Sequence, residues 1–165
     1  MGHPKKQKKK YERPRKPYDK VRIEKEKNIL HEFGLRRKKE IWRAEAILRN
    51  YRRRARELQA QKDEKKEKEM FEKLKKMGLV NDDANIEDVL GLTLHDLLSR
   101  RLQTIIYKKG MAFTPKQARQ LIAHGHIRLE GRKVNYPSYL VKKGEEDLIE
   151  IEQLKKKINK EIGAV

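Results

Sequence analysis

The chain has 165 residues, of which 36% are hydrophobic and 42% are charged, so its hydrophobic core must be small. Lys and Arg outnumber Asp and Glu by 44 to 25, and the net charge of +19 favours nucleic acid as a partner over an anionic membrane. No apolar run of about 18 residues predicts a membrane-spanning helix, and the basic start lacks the apolar stretch of a secretory signal. Without cysteine, disulfides and thiolate metal sites are excluded. We therefore expect a soluble intracellular protein, and its Lys- and Glu-rich composition is typical of a thermophile.

The charge is distributed unevenly along the chain. Residues 1–60 carry 22 basic and 8 acidic side chains, and residues 95–143 carry 11 basic and 2 acidic ones. A mixed-charge segment separates these two basic blocks. Together with the patterns described below, this distribution predicts four parts of the chain. They are a basic extended arm (1–40), a helical region with a linker (41–92), a compact domain (93–152) and a C-terminal tail (153–165).

The basic arm has three of the five prolines of the chain in its first 17 residues. Proline disfavours helix, and like charges keep such a segment extended. It is either an arm that orders against an anionic partner or a solubilising tail. We prefer the binding arm, because its charge is largely of one sign and Tyr11 and Tyr18 lie among the cations. Arg36 and Arg37, near its end, are candidate RNA ligands.

A helical pattern begins at about Ile41, where apolar residues recur at alternating spacings of three and four up to Leu58. Arginines fall on the opposite side of this helix, where they can face phosphates. Trp42 lies among them and either stacks on a base or, as is commoner for tryptophan, packs against protein. The stretch "QKDEKKEKEMFEKLKKMGL" is expected to continue the helix as far as Gly78. The candidate RNA ligands of this helix are Arg49, Arg53 and Arg56.

The compact domain is predicted to begin with two helices. Thr93 is an N-cap with an acid three residues later, and the apolar spacing of residues 94–106 predicts one amphipathic helix that ends at Gly110. Thr114 is the N-cap of the second helix, which has proline at its first position and ends at Gly125. Several short strands are expected to follow these two helices in the sequence.

Residues 127–130 alternate between apolar and charged side chains, which predicts a strand, and Glu130-Gly131 predicts a hairpin turn. A further short strand is expected near residues 148–151. The fold class is therefore α+β, with two helices packed on short antiparallel strands.

His124 and His126 flank the glycine that ends the second helix. A metal site needs three or four ligands, and no Cys, Asp or Glu stands near this pair at a suitable spacing. The serines of the chain lack the motif of a nucleophile, so we expect no catalytic residue and no cofactor. The histidines are interpreted as flanking a helix end, and hydrogen bonds from them to RNA remain open.

The polar face of the second helix carries Lys116, Arg119 and Gln120, and basic residues flank both helices and the hairpin. Replacing Lys116 and Arg119 together by alanine is expected to weaken RNA binding without unfolding the protein. The candidate RNA ligands of this half are Arg100, Arg101, Lys108, Lys109, Thr114, Lys116, Arg119, Gln120, His124, His126, Arg128, Arg132 and Lys133.

The stretch "RRLQTIIYKKGMAFTPKQARQLIAHGHIRLEGRKVNYPSYLVKKGEEDLIEI" resembles the S-four RNA-binding domain. The pattern of that domain runs Arg-Leu-Asp, then Ser-Arg-x-x-Ala-Arg-Gln, then Gly-His-Ile/Val-x-Val-Asn-Gly. With "GLRRKKEIWRAEAILRNYRRRAREL" and "MGHPKKQKKKYERP", nearly the whole chain resembles the family of small-ribosomal-subunit proteins for which the domain is named, in its archaeal form. Gln103, Pro115-Lys116 and Glu130 depart from the pattern, and the resemblance implies that Lys116 takes over a phosphate contact. The positions that match it are Thr114, Arg119, Gln120, His124, Gly125, His126 and Gly131.

The resemblance implies a structural component of the small ribosomal subunit that binds the 5′ domain of its RNA early in assembly. It also implies a place near the site where messenger RNA enters, an influence on decoding accuracy, neighbouring ribosomal proteins as partners and a cytoplasmic location. It implies no membrane or small-molecule partner. The zinc that cysteines bind in bacterial relatives is excluded here.

The same domain occurs in other proteins, which gives alternatives. A transient processing or rescue factor for ribosomal RNA would be absent from purified mature subunits. An RNA-modifying enzyme such as a pseudouridine synthase would need a catalytic domain, and residues 1–90 show no acid–base site. A protein of the membrane surface would need a large exposed apolar stripe, which the compact domain lacks.

Overall fold

A computed structural model describes residues 9–61 and 63–151 of the chain. The predicted tail (153–165) and residues 1–8 of the predicted arm lie outside these described residues. Seven helices and three strands follow one another in the described part. They are α1 (Lys20–Glu32), α2 (Lys38–Ala60), α3 (Glu64–Lys76), α4 (Ile86–Gly91), α5 (Leu94–Ser99), α6 (Leu102–Lys108), α7 (Pro115–Ala123), β1 (Ile127–Leu129), β2 (Arg132–Lys133) and β3 (Ile149–Ile151).

Helix α2 organises the first of two hydrophobic clusters. Five of the six apolar positions that predict this helix are buried, including Ile41 and Ala55 with no exposed surface, and Tyr51 is half-buried. They pack with residues of α3, α4 and α5, among them the fully buried Leu74, Val89 and Leu98. Each such side chain stabilises the fold by about 1.5–3 kcal/mol through removal from water. The predicted inward face of this helix is confirmed.

The second cluster joins α6 and α7 to the sheet. Leu102 and Ile106 of α6, Ile122 of α7, Ile127 of β1 and the loop residue Val141 are all fully buried in it. The strands are antiparallel in the order β2-β1-β3. The predicted α+β fold is confirmed, with helices packed on short strands.

The hairpin between β1 and β2 closes through Glu130 and Gly131, whose φ angles are +51° and +75°. Two successive positive φ angles define a two-residue hairpin turn, which requires glycine or a polar residue. The register pairs Leu129 with Arg132 and, across the other edge of β1, with Ile149. The predicted hairpin and the predicted later strand are both present.

The arm differs from the prediction, because residues 20–32 form α1 rather than extended chain. Asp19 caps this helix, and its carboxylate accepts a hydrogen bond from the N–H of Arg22 at 3.5 Å. Ile29 and Leu30 pack against the first cluster. Partial burial of these two side chains stabilises α1, whose charges are mixed, with four Lys or Arg and three Glu.

The helix predicted to run from residue 41 to residue 77 is two helices, α2 and α3, which are separated near Gln61 and Asp63. The break lets α3 fold back so that Met70 and Leu74 pack on α2, whereas a straight helix would leave them in water. Gly78 ends α3 with φ at +64°, and the N–H of Leu79 donates to the carbonyl of Leu74 at 3.1 Å. The predicted C-terminal glycine is confirmed.

The single helix predicted over residues 94–110 is also divided, into α5 and α6. At the break, the backbone of Arg101 pairs with that of Leu140, and the N–H of Val141 donates to the carbonyl of Arg100 at 3.0 Å. The hydroxyl of Thr104 donates to the carbonyl of Leu98 at 2.8 Å. Strand-like pairing therefore replaces the helical hydrogen bonds at this point. The predicted cap at Thr93, with Asp96 opposite it, is present.

Candidate nucleic-acid interface

Two basic grooves lie along α2 and share Arg49. The first has a volume of about 590 Å³ and lies between the described start of the arm, α2 and the loop after β2, which contributes Ser138. The second has a volume of about 510 Å³ and lies beside Leu94 of α5. Of the sixteen residues that line the two grooves, seven are cations and two, Glu12 and Glu45, are acids. These cations are Lys9, Lys10, Arg43, Arg49, Arg52, Arg53 and Arg56.

The structure brings together the three arginines predicted on α2. The side chains of Arg49 and Arg53 are 60% and 69% exposed. Each has one acidic partner, since Arg49 pairs with Glu12 and Arg53 lies 3.6 Å from Glu57. Exposed pairs of this kind contribute little to stability, so a phosphate can replace the carboxylate at low cost.

The sequence prediction missed four cations of these grooves. Arg52 lies three residues after Arg49 and four before Arg56, so helical spacing alone could have included it. Arg43 does not lie three or four residues from a predicted arginine of α2. Lys9 and Lys10 reach α2 because the arm folds back along it. No periodicity in the sequence signals that contact.

Trp42 packs inside the protein. Its Nε1–H donates to Glu26 of α1 at 3.0 Å, and its ring centre lies 6.0 Å from that of Tyr11. Of the two interpretations that the sequence left open, the structure favours packing.

Glu45 is an acid that lines the second groove. Burial, followed by the charge of Glu26, raises the pKa of Glu45, so this carboxyl is more readily neutralised.

The second helix of the compact domain has the predicted cap. The hydroxyl of Thr114 accepts from the N–H of Gln117 at 3.1 Å. The side-chain oxygen of Gln117 accepts from Phe113 N–H at 2.9 Å, one residue earlier than in the usual capping box. This arrangement fixes the backbone of Phe113, a residue that is 92% exposed and lies three positions before Lys116 in the sequence. An aromatic ring so exposed in a basic setting suits base stacking, and the sequence analysis overlooked it.

The remaining predicted ligands of this half differ in accessibility. Arg128 and His126 are half-buried. The exposed ones lie on α6, on α7 and its C-cap, and on β2. They are Lys108, Lys116, Gln120, His124, Arg132 and Lys133.

Arg100 and Lys109 are held by the acidic turn before β3. Arg100 pairs with Glu146 and donates to the carbonyl of Val141 at 3.0 Å, with 18% of its side chain exposed. Lys109 lies 3.0 Å from Asp147. The prediction that both contact RNA stays untested, and each has a protein partner that such a contact would have to replace.

Arg101 and Arg119 converge on one carboxylate, that of Glu40 on α2. Arg119 donates to both oxygens of Glu40, at 3.0 and 3.1 Å, and Arg101 donates to one of them at 2.8 Å. The side chain of Arg101 is only 7% exposed. The prediction that Arg101 contacts RNA stays untested, and such a contact would have to replace a nearly buried pair with Glu40.

His124 and His126 flank Gly125, as predicted, and their ring centres are 6.1 Å apart. Gly125 has φ at +75°, and the N–H of His126 donates to the carbonyl of Leu121 at 3.0 Å. No cluster of three or more His, Cys, Asp or Glu suited to a metal occurs in residues 9–61 and 63–151. Over the same ranges, no helix has the length and apolar character needed to cross a membrane.

Residues 100–147 match the S4 domain family, so the chain contains an S4 domain that includes α6, α7, β1 and β2. The chain is also similar to proteins named small ribosomal subunit protein uS4 from three archaea. It is 47% identical to that of Methanothermobacter thermautotrophicus over 152 residues, which cover 90% of this chain and 89% of the relative. Identity is 50% with Ignicoccus hospitalis (90% and 92% covered) and 47% with Sulfurisphaera tokodaii (91% and 87%). The chain therefore belongs to the uS4 family of small ribosomal subunit proteins, and the resemblance seen in its motifs is confirmed.

Proposed function

We propose that this protein binds the RNA of the small ribosomal subunit as a structural component in the cytoplasm, and that it is not an enzyme. The observation that carries the proposal is the pair of cation-lined grooves along α2 in a chain of the uS4 family. Neighbouring ribosomal proteins are its further partners. Within this function, it engages the 5′ domain early in assembly, lies where messenger RNA enters and influences decoding accuracy.

The chemistry of the grooves favours recognition of RNA by backbone and shape. Arginine side chains and the lysines of the arm neutralise phosphates and release condensed counterions, so affinity should depend strongly on salt. Lys116 and Gln120 offer further polar contacts on α7, and Phe113 offers a stacking surface. Folded RNA that reaches both α2 and α7 would be bound more tightly than any single helix of nucleic acid.

The proposal is tested by a salt titration of the affinity for the 5′ domain of archaeal small-subunit RNA, with transfer RNA and duplex DNA as competitors. We expect binding that survives both competitors, with log K falling linearly with log salt. Equal binding of all three nucleic acids would contradict a site-specific function. It would leave only a basic polyelectrolyte.

Replacing Arg49, Arg53 and Arg56 together by glutamine tests the grooves. If each contacts one phosphate, the slope of log K against log salt should fall by about 2–3, and affinity should fall by roughly ten- to a hundredfold. The matched control removes three exposed cations of α3 in the same way. It is Lys65→Gln/Lys68→Gln/Lys73→Gln. Equal losses in both triple variants would show that net charge, and not the grooves, determines affinity.

A further inference from the structure

Glu40 joins the two halves of the protein. It lies in the first turn of α2, and its two oxygens accept four hydrogen bonds in all. Three come from arginines of the compact domain, and the fourth comes from the N–H of Arg36 at 3.3 Å. Since a carboxylate has about four acceptor positions, this one is saturated by protein donors. The carboxylate is 19% exposed, so water competes little for it.

Gln103 extends the same junction. Its amide nitrogen donates to the carbonyls of Phe33 and Gly34, each at 3.0 Å, and to that of Pro115 at 2.9 Å. Its side-chain oxygen accepts from Arg119 at 3.4 Å. Gln103 is 1% exposed, so these bonds satisfy a buried amide that would otherwise be costly. They connect the loop between α1 and α2 to the start of α7.

The backbone packs closely at this point. Gly34 has φ at +57°, and a Cβ built there would lie 2.7 Å from the Cβ of Pro115 and 2.9 Å from its carbonyl carbon. Real Cβ atoms do not approach that closely, so a larger residue at position 34 must push the α1–α2 loop away from α7. The relative position of α2 and α7 therefore depends on both the carboxylate and this glycine.

We propose that Glu40 is a positioning residue for RNA recognition. It fixes the grooves of α2 relative to α7, so that both contact one folded RNA, and it holds Arg101 and Arg119 in the junction rather than on phosphates. This inference rests on the proposed function. Its unusual consequence is that removal of a negative charge from a protein of net charge +19 should weaken binding to the specific RNA.

The test is Glu40→Gln, measured below its melting temperature against the 5′ domain, transfer RNA and duplex DNA. Affinity for the 5′ domain should fall at least tenfold, while affinity for the two competitors stays equal or rises. Glu57→Gln is the matched control, because Glu57 lies on α2, carries the same charge and forms an exposed pair with Arg53 across one turn. It should raise all three affinities slightly. If Glu40→Gln behaved like this control, the proposal would be overturned.

Gly34→Ala tests whether the relative position of α2 and α7 determines RNA affinity, without any change of charge. It provides the test if Glu40→Gln does not fold. It should lower affinity for the 5′ domain and leave the salt slope with transfer RNA unchanged. Gly110→Ala controls for backbone strain, since its φ is +70° but nothing lies within 4 Å of its Cβ position. Equal effects of the two alanines would contradict positioning. Failure of the wild-type protein to prefer the 5′ domain would instead contradict the proposed function itself.

Discussion

Lys116, Arg119 and Arg101 all lie in the half of the chain that the sequence predicts to bind RNA, but their surroundings differ. Lys116 is exposed on α7, whereas Arg119 forms a two-bond pair with Glu40 and Arg101 is almost fully buried beside it. Helical spacing places a residue on a face, but it does not show which acid will lie opposite. Glu40 is 79 residues from Arg119 in sequence, so no local pattern could predict their contact.

The double replacement of Lys116 and Arg119 is therefore not expected to spare the fold, contrary to the expectation from sequence. Arg119→Ala should lower the free energy of unfolding by about 1–3 kcal/mol, because it removes two of the three guanidinium hydrogen bonds that Glu40 accepts. Lys116→Ala should change it by less than about 0.5 kcal/mol. Urea unfolding followed by circular dichroism measures both. Equal stability of the two variants would show that the pair with Glu40 is dispensable.

Acid should weaken the same junction. Burial alone would raise the pKa of Glu40, but hydrogen bonding from Arg119 and the charges of Arg101 and Arg119 outweigh it and hold the pKa below its ordinary value of 4.5. A depressed pKa in the folded state contributes stability that is present above pH 4.5 and is lost as the pH falls through the folded value. Glu40→Gln should therefore make unfolding free energy less dependent on pH below 4.5. An unchanged acid limb in chemical unfolding would contradict this assignment.

At the scale of elements, the sequence predicts caps and faces well and helix lengths less well. The caps at Thr93 and Thr114, the glycine ends and the hairpin are local features that depend on a few adjacent residues. The breaks between α2 and α3 and between α5 and α6 depend on distant partners. The second break exists because the backbone at Arg101 pairs with Leu140, and apolar spacing continues across it unchanged. Helix α1 likewise depends on distant partners, because its residues Ile29 and Leu30 pack against the first cluster.

Gly78, at the end of α3, gives a test at this scale. Gly78→Ala should destabilise the protein by about 1–2 kcal/mol, since its φ is +64° and a Cβ would lie 3.0 Å from the guanidinium carbon of Arg100. Gly91→Ala, at the end of α4, has no contact within 4 Å and should be neutral or stabilising by up to about 1 kcal/mol. Thermal unfolding would compare them. If Gly78→Ala were as harmless as Gly91→Ala, the contact with Arg100 would not constrain the helix end.

At the scale of the whole molecule, the described part of the chain contains two hydrophobic clusters and a basic surface along α2. The family, the fold class and three arginines of the grooves follow from sequence, because motifs, alternation and helical spacing are local. The contribution of the arm to the first groove does not follow, because it needs the chain to fold back along α2. The pairing of Arg101 and Arg119 with Glu40 does not follow from sequence either, because this acid comes from the other half of the chain.

The long separation between Glu40 and its arginines also bears on how the protein is made. Its partners are 61 and 79 residues further along the chain, so α2 leaves the ribosome well before either of them. The buried residues of the first cluster have all emerged once Leu98 has, although Leu140 joins them later, whereas the junction cannot close until residue 119 has followed. The two halves can therefore join only after α2 has emerged, and β3 (Ile149–Ile151) emerges later still. A nascent chain would present its arginine-rich helix before the orientation of its second half is set.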